Sequence, residues 1–219
     1  LPDEDGNYNE TPIHLAATLE NYAEAGWVNV LGGCCGTVPE HIGLLSEIPE
    51  RTKTRSWVAS TLSTVSGLEA FTIDDDTRPV IVGERTNVLG SRKFRNLIAK
   101  GHIDEAAEVG REQVRSGAHI LDVCLQDPDR DEIEDLTALL TSLRRKVKVP
   151  FMIDSTDPVA VEEALKLTPG KSIINSINLE DGESKFETML PLIRKYGASV
   201  IVGCIDDDPQ QAQAVTRAR

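Results

Sequence analysis

The chain has 219 residues, 40% of them hydrophobic and 27% charged, a composition that suits a globular protein of one large domain or two small ones. Its net charge of -13 repels phosphate backbones and argues against nucleic acid as a partner. No stretch reaches the roughly 18 to 20 apolar residues of a membrane span, and Leu1-Pro2-Asp3-Glu4-Asp5 lacks the basic-then-apolar pattern of a signal peptide, so no membrane partner is expected.

Four cysteines, Cys34, Cys35, Cys124 and Cys204, are too few and too awkwardly spaced for a disulfide framework, which points to a reducing, cytoplasmic setting. The first residue is not Met, so the chain reads as a piece of something longer.

Thr11-Pro12 opens a helix, with Thr11 as cap and Pro12 in the first turn, and Gly26 stops it. Residues 28–31 read as a short buried strand. The loop Gly32-Gly33-Cys34-Cys35-Gly36-Thr37 follows, and Thr37-Val38-Pro39-Glu40 has the spacing of a capping box that opens a second helix. Helix, strand, helix over residues 11 to about 48 predicts the tail of a larger domain. Residues 49–78, rich in Ser and Thr, read as an interdomain linker in which residues 57–62 permit a short strand or hairpin.

From residue 79 onward apolar runs at 80–83, 119–124, 151–154, 172–177 and 199–205 alternate with helical patterns at 104–116, 129–145, 157–167 and 183–196. That alternation predicts an α/β fold with a parallel sheet and right-handed crossovers. An open doubly wound sheet usually shows G-x-G-x-x-G after its first strand, and here Gly83-Glu84-Arg85-Thr86-Asn87 stands instead. Polar residues gather at the strand C-termini, where a TIM-type (β/α)8 barrel carries its site, so an incomplete barrel of about five strands is expected over residues 79–219.

Two constellations could carry chemistry. The vicinal Cys34 and Cys35 could give a metal two thiolates, although C-x-x-C is the more usual spacing and two small buried residues in a Gly-rich turn would look the same. His14 and His41 sit on helices and read as ordinary surface or packing histidines. The second set is Glu84, Asn87, Asp122, Asp154, Asn175 and Asn178 at strand ends. A carboxylate flanked by apolar strand residues is partly desolvated and is best satisfied by a ligand offering N–H donors, such as a planar heterocycle with an amino group beside a ring N–H. Helix capping is the competing explanation. It suits Asp157, Asp129 and Asp208 better than it suits Asp122 or Asp154, and Asn175 is even between the two. No metalloprotease, Walker or nucleophile-elbow motif occurs.

Val30-Leu31-Gly32-Gly33-Cys34-Cys35-Gly36-Thr37 with Pro39-Glu40-His41-Ile42 resembles the end of the homocysteine-binding barrel in the cobalamin-dependent methionine synthase family. Gly83-Glu84-Arg85-Thr86-Asn87, Met152-Ile153-Asp154-Ser155 and Ile174-Asn175-Ser176-Ile177 resemble its second, pterin-binding barrel. The resemblance implies three domains: 1–48 as the C-terminal end of the zinc barrel, 49–78 as linker, and 79–219 as the first part of the methyltetrahydrofolate barrel. It implies Cys34 and Cys35 as two of three zinc ligands, the third lying upstream. It implies Glu84, Asn87, Asp122, Asp154 and Asn175 as lining the pterin pocket. Asp122-Val123-Cys124 departs from the family's common Asp-x-Asn and leaves Cys124 without a role.

The activity so implied is methyl transfer from 5-methyltetrahydrofolate, through cobalamin held by another module of the same protein, to zinc-bound homocysteine, giving methionine and tetrahydrofolate. Three alternatives stand beside it. One is a methyltetrahydrofolate–corrinoid protein methyltransferase or a dihydropteroate synthase-like pterin binder, against which the cysteine loop argues. Another is a ligand-binding piece without activity of its own. The last is a structural module using the barrel as scaffold, against which the polar strand ends argue.

Overall fold

The computed structural model describes residues 2–56, 61–180 and 182–205. The expected cap at Asp208, the solvated run 206–208 and residues 57–60 of the expected 57–62 strand lie outside them. The chain divides into two compact units, Leu1–Ser60 and Thr61–Arg219.

The first unit holds helices α1 (Pro12–Glu24) and α2 (Pro39–Arg51). Thr11 caps α1 by accepting from the His14 N–H at 3.3 Å, and Gly26 follows its end with φ +71°. The helices bury Ala16, Ala23, Leu45 and Ile48 between them, and an Arg51–Glu20 ion pair at 2.7 Å links their exposed faces. Two local expectations fail. Residues 28–31 form no strand: among the described residues of this unit no other strand offers backbone partners, and Val30 is 88% exposed. The α2 cap falls on Val38, not Thr37, because the Thr37 hydroxyl accepts instead from the Cys34 N–H at 2.8 Å. The orphan N–H of Val38 is taken by Nδ1 of the buried His41 at 3.2 Å.

The second unit opens with a hairpin, β1 (Ser63–Ser66) against β2 (Ala70–Ile73), followed by β3 (Val82–Gly83), β4 (Ile120–Val123), β5 (Phe151–Asp154), β6 (Ile173–Ile177) and β7 (Ser199–Val202). The last five make one parallel sheet in strict chain order. A doubly wound sheet reverses its order at a switch point and carries helices on both faces, and among the described residues this sheet does neither. Helices α3 (Arg92–Ala99), α4 (Ile103–Arg115), α5 (Glu132–Leu143), α6 (Pro158–Leu167) and α7 (Ser184–Tyr196) pack in succession, each on the next. α3 lies outside the helical patterns legible in the sequence. Its cap is Ser91, whose hydroxyl accepts from the Phe94 N–H at 3.3 Å.

The pleat sorts the strand residues onto two faces. Leu121, Val123, Phe151, Ile153 and Ile174 enter the main core with Leu136, Leu139, Leu140 and Val161 of the helices. Ile120, Met152 and Ile173 point the other way, into a second cluster with Val65 of the hairpin. The hairpin thus covers the N-terminal end of that inner face. Its backbone is stitched there by Ser66 N–H to the Lys171 carbonyl at 3.0 Å and Glu69 N–H to the Lys148 carbonyl at 3.3 Å. Gly67 lies so close to the Lys148 and Val149 carbonyls that a Cβ would collide with them.

Candidate functional site

Two residues along each strand from the apolar layer, the inner face turns polar. Ile120 is followed on that face by Asp122 and then Cys124, Met152 by Asp154, and Ile173 by Asn175. Asp154 and Asn175 are register partners. Asn175 Nδ2 donates to Asp122 Oδ1 at 3.3 Å, although β5 lies between their strands. Strands two apart are separated by roughly 10 Å, so this contact requires an inner face that is concave. Side chains meeting from alternate strands are also how a barrel interior is layered.

The loop after β3 completes the ring. Cys124 N–H donates to the Thr86 carbonyl at 3.1 Å and Val88 N–H to the Cys124 carbonyl at 3.0 Å, which ties residues 86–88 to the end of β4. The Thr86 hydroxyl donates to the Asp122 carbonyl. Asn87 Oδ1 accepts from the Leu89 and Gly90 N–H groups, each at 2.8 Å, so its amide N–H2 is the end left to offer a ligand. Glu84 is exposed, and its charge acts on both Asp122 and Asp154.

Asp122 is 2% exposed, and its Oδ2 has no hydrogen-bond partner among the described residues. Burial, then the Asp154 and Glu84 charges, push its carboxyl up to about 7 against the Asn175 hydrogen bond. Burial also raises Asp154, opposed by a hydrogen bond from the Cys124 thiol. Burial pushes the Cys124 thiol up to about 12, so it stays protonated. Leaving a buried carboxyl oxygen unpaired costs about 1 to 3 kcal/mol or more. The layer therefore presents acceptors at Asp122 Oδ2, Asp154 and Asn175 Oδ1 and one donor at Asn87. A neutral ring with adjacent N–H groups and one carbonyl matches that pattern.

The loops above this layer are separately braced. Arg130 clasps the buried Asp135 at 2.6 and 2.7 Å, and Gln126 donates to the Thr156 hydroxyl at 2.8 Å. Asp157 caps α6 by accepting from Val159 N–H, as expected, whereas the α5 cap is Asp131 and not Asp129. Asn178 Oδ1 accepts from the Glu180 N–H and closes its own turn. Thr86 and Glu132 carry no sequence signal that marks them for the site. Glu132 Oε1 is a second buried carboxyl oxygen with no hydrogen-bond partner among the described residues, and burial raises its carboxyl.

In the first unit Cys34 and Cys35 are exposed, with Sγ atoms 3.8 Å apart. A Cβ at Gly33 would meet the Thr37 side chain and one at Gly36, where φ is +80°, would meet Tyr8, so the turn that presents the thiols needs both glycines. The hydrogen bonds from the Cys35 backbone and thiol hold the Cys34 thiol below its ordinary range. An open cleft of about 690 Å³ beside them is lined by Tyr8, Glu10, Thr11 and His14. Among the described residues no third His, Cys, Asp or Glu completes a metal-binding group. His41 is occupied in capping, and His14 pairs with Glu10 at 2.5 Å.

Sequential parallel strands with a one-sided helical layer make this an α/β protein whose five-stranded sheet is consistent with part of a TIM-type barrel, with the polar residues at its strand C-termini. Residues 83–219 match the family model described as pterin binding enzyme, and the chain belongs to that family. Residues 1–48 match the model described as homocysteine S-methyltransferase, which points to a methyltransferase. No helix among the described residues is long and apolar enough to cross a membrane.

Proposed function

We propose that the chain is part of a cobalamin-dependent methionine synthase and supplies the pocket that binds 5-methyltetrahydrofolate. The observation that carries this reading is the polar layer, above all the buried, unpartnered Asp122 Oδ2 beside Asp154 and Asn175. In this reading Asp122 and Asp154 accept from the ring N–H and amino groups, Asn87 donates to the ring carbonyl, and Asn175 holds Asp122 while offering its own Oδ1. Glu84 lines the rim. Methyl transfer requires a proton at N5 of the pterin to improve the leaving group, and a layer of acceptors without a cation favours that protonated form.

Residues 1–48 would be the end of the homocysteine barrel, 49–78 the linker with its hairpin closing the barrel floor, and 79–219 the first part of the pterin barrel. Cys34 and Cys35 fit a zinc ion as two soft thiolate ligands, judged by their exposure and their 3.8 Å separation. Zinc there would act as a Lewis acid on the homocysteine thiol. Loss of zinc from the intact protein on Cys34→Ser is the expected result, and undiminished zinc would remove Cys34 from the ligand set. Cobalamin, carried by another module of the intact protein, would supply the nucleophile that takes the methyl group. Four free cysteines support a reducing, cytoplasmic setting.

The pocket is tested by calorimetric titration of 5-methyltetrahydrofolate into the intact protein. Asp154→Ala and Asn175→Ala should each weaken binding by about 10- to 100-fold, the loss of one or two charge-assisted or buried hydrogen bonds. Wild-type affinity in both variants would eliminate this pocket.

A further inference from the structure

The loop after β3 carries Glu84 and Asn87, and a side chain of α4 reaches it from the helical layer. Gln113, in the last turn of α4, accepts from the Arg85 N–H through Oε1 at 2.6 Å. Arg85 lies between the exposed Glu84 and the buried Thr86 and Asn87. The Gln113 side chain is fixed at its root. Its backbone carbonyl accepts from the Ser116 and Ala118 N–H groups at 3.1 and 3.0 Å, which ties the end of α4 to the lead into β4. Gly83 leaves the room the side chain needs, since a Cβ there would come to 3.0 Å from Gln113 Oε1 and 3.1 Å from Gln113 Cβ. The other end of the amide gains nothing: Gln113 Nε2 is buried with no hydrogen-bond partner among the described residues. An apolar side chain of similar length would fill that space without the cost of a buried, unpaired amide. The acceptor end is therefore what the position uses.

We propose that Gln113 is a positioning residue of the pterin site, acting through the Arg85 backbone to hold the Asn87 amide over the ring carbonyl. This rests on the pterin reading above. Residues 86–88 are tied to the end of β4 through the Thr86 carbonyl and the Val88 N–H, and Asn87 Oδ1 is tied to its own turn. The Arg85 N–H anchors the same stretch on its β3 side. Without that anchor residues 84 and 85 lose their brace to α4, and Asn87 spreads over a wider range of positions. The loss falls on the ligand contact that Asn87 makes. Asp122, Asp154 and Asn175 stand on paired strands and keep their places.

The test is a double-mutant cycle read by calorimetric titration of 5-methyltetrahydrofolate into the intact protein, with the unfolding midpoint of each variant measured beside it. Gln113→Met, which keeps the length and removes the acceptor, should weaken binding about 3- to 10-fold, the range expected when one neutral hydrogen-bonded contact is loosened. In an Asn87→Ala background the same change should cost less than about twofold, because the contact it positions is gone. In an Asn175→Ala background it should keep its full effect. If Gln113→Met does not fold, Gln113→Ala, which admits water to the Arg85 N–H, takes its place with the same expectations. Failure of both variants to fold would make Gln113 a packing residue alone and overturn the proposal. An equal loss in the wild-type and Asn87→Ala backgrounds would overturn it, as would an effect that Asn175→Ala also abolishes. Unchanged binding in Gln113→Met or in Asn87→Ala would do the same. With wild type binding, each of these results refutes the Gln113 role and leaves the pterin reading standing. If wild type fails to bind, the pterin reading falls and this proposal with it.

Discussion

Asp122 shows how one residue can couple a site to pH. Its carboxyl titrates near 7 in the fold against an ordinary value of 3.8, because burial and two neighbouring acids disfavour its charge. A raised carboxyl pKa means the native state binds more protons than the unfolded chain between those values. Asp122 therefore stabilises the fold fully below 3.8, and that contribution is lost as pH rises through about 7. A ligand donating N–H groups reverses the preference and draws out the ionised form. Binding of 5-methyltetrahydrofolate below pH 7 should release protons, with a heat that depends on the ionisation enthalpy of the buffer, and Asp122→Asn should reduce that dependence. Identical buffer dependence in the wild-type protein and Asp122→Asn would refute the linkage. Asp122 and Asp154 were legible in the sequence because a carboxylate ending an apolar run is conspicuous. Cys124 and Thr86 were not, since a thiol or hydroxyl at a strand end looks the same whether it packs or donates. Only the fold, which brings the Thr86 hydroxyl to the Asp122 carbonyl and the Cys124 N–H to the Thr86 carbonyl, reveals what they touch.

Among the elements, four of the five strands and four helices of the second unit could be read with boundaries good to a few residues, because period and caps agreed there. Asp157-Pro158 opens α6 and Gly197, at φ +63°, closes α7. β3 keeps only Val82–Gly83 of its apolar run, since the Ile81 N–H goes to the His119 ring nitrogen at 3.0 Å and not to a neighbouring backbone carbonyl. α3 was missed because its eight residues carry three basic side chains and only a narrow apolar face around Phe94, Leu97 and Ile98. The hairpin at 63–73 was hardest to see, being short, rich in Ser and Thr, and dependent on a surface made by β4, β5 and β6. Residues 28–31 failed in the opposite direction: an apolar run suggests a strand, but a strand exists only where another backbone pairs with it. The hairpin's role as a floor is open to measurement. Val65→Ala should cost about 1 to 3 kcal/mol of the second unit's stability, from the cavity left against Ile120, Met152 and Ile173. An unchanged unfolding midpoint would mean that the hairpin adds nothing to the core above it.

At the scale of the whole molecule, an apolar floor beneath a polar layer explains how five strands can hold a charged site. Val65, Ile120, Met152 and Ile173 exclude water from below, and the helices exclude it from outside, so Asp122 and Asp154 are desolvated from two sides and open toward the strand C-termini. Placing a ligand site at that end follows from the fold class; the pattern of donors and acceptors suits a planar heterocycle with adjacent N–H groups, and the choice of a pterin comes from the family resemblance. The match of residues 83–219 to the pterin binding enzyme model agrees with the second inference without fixing any contact. The most direct test is a crystal structure of the intact protein with 5-methyltetrahydrofolate bound. The account predicts a ring N–H or amino group within hydrogen-bonding distance of Asp122 Oδ2 and Asp154, with the Asn87 amide on the ring carbonyl. A pterin bound elsewhere, with Asp122 Oδ2 still unpartnered, would contradict it.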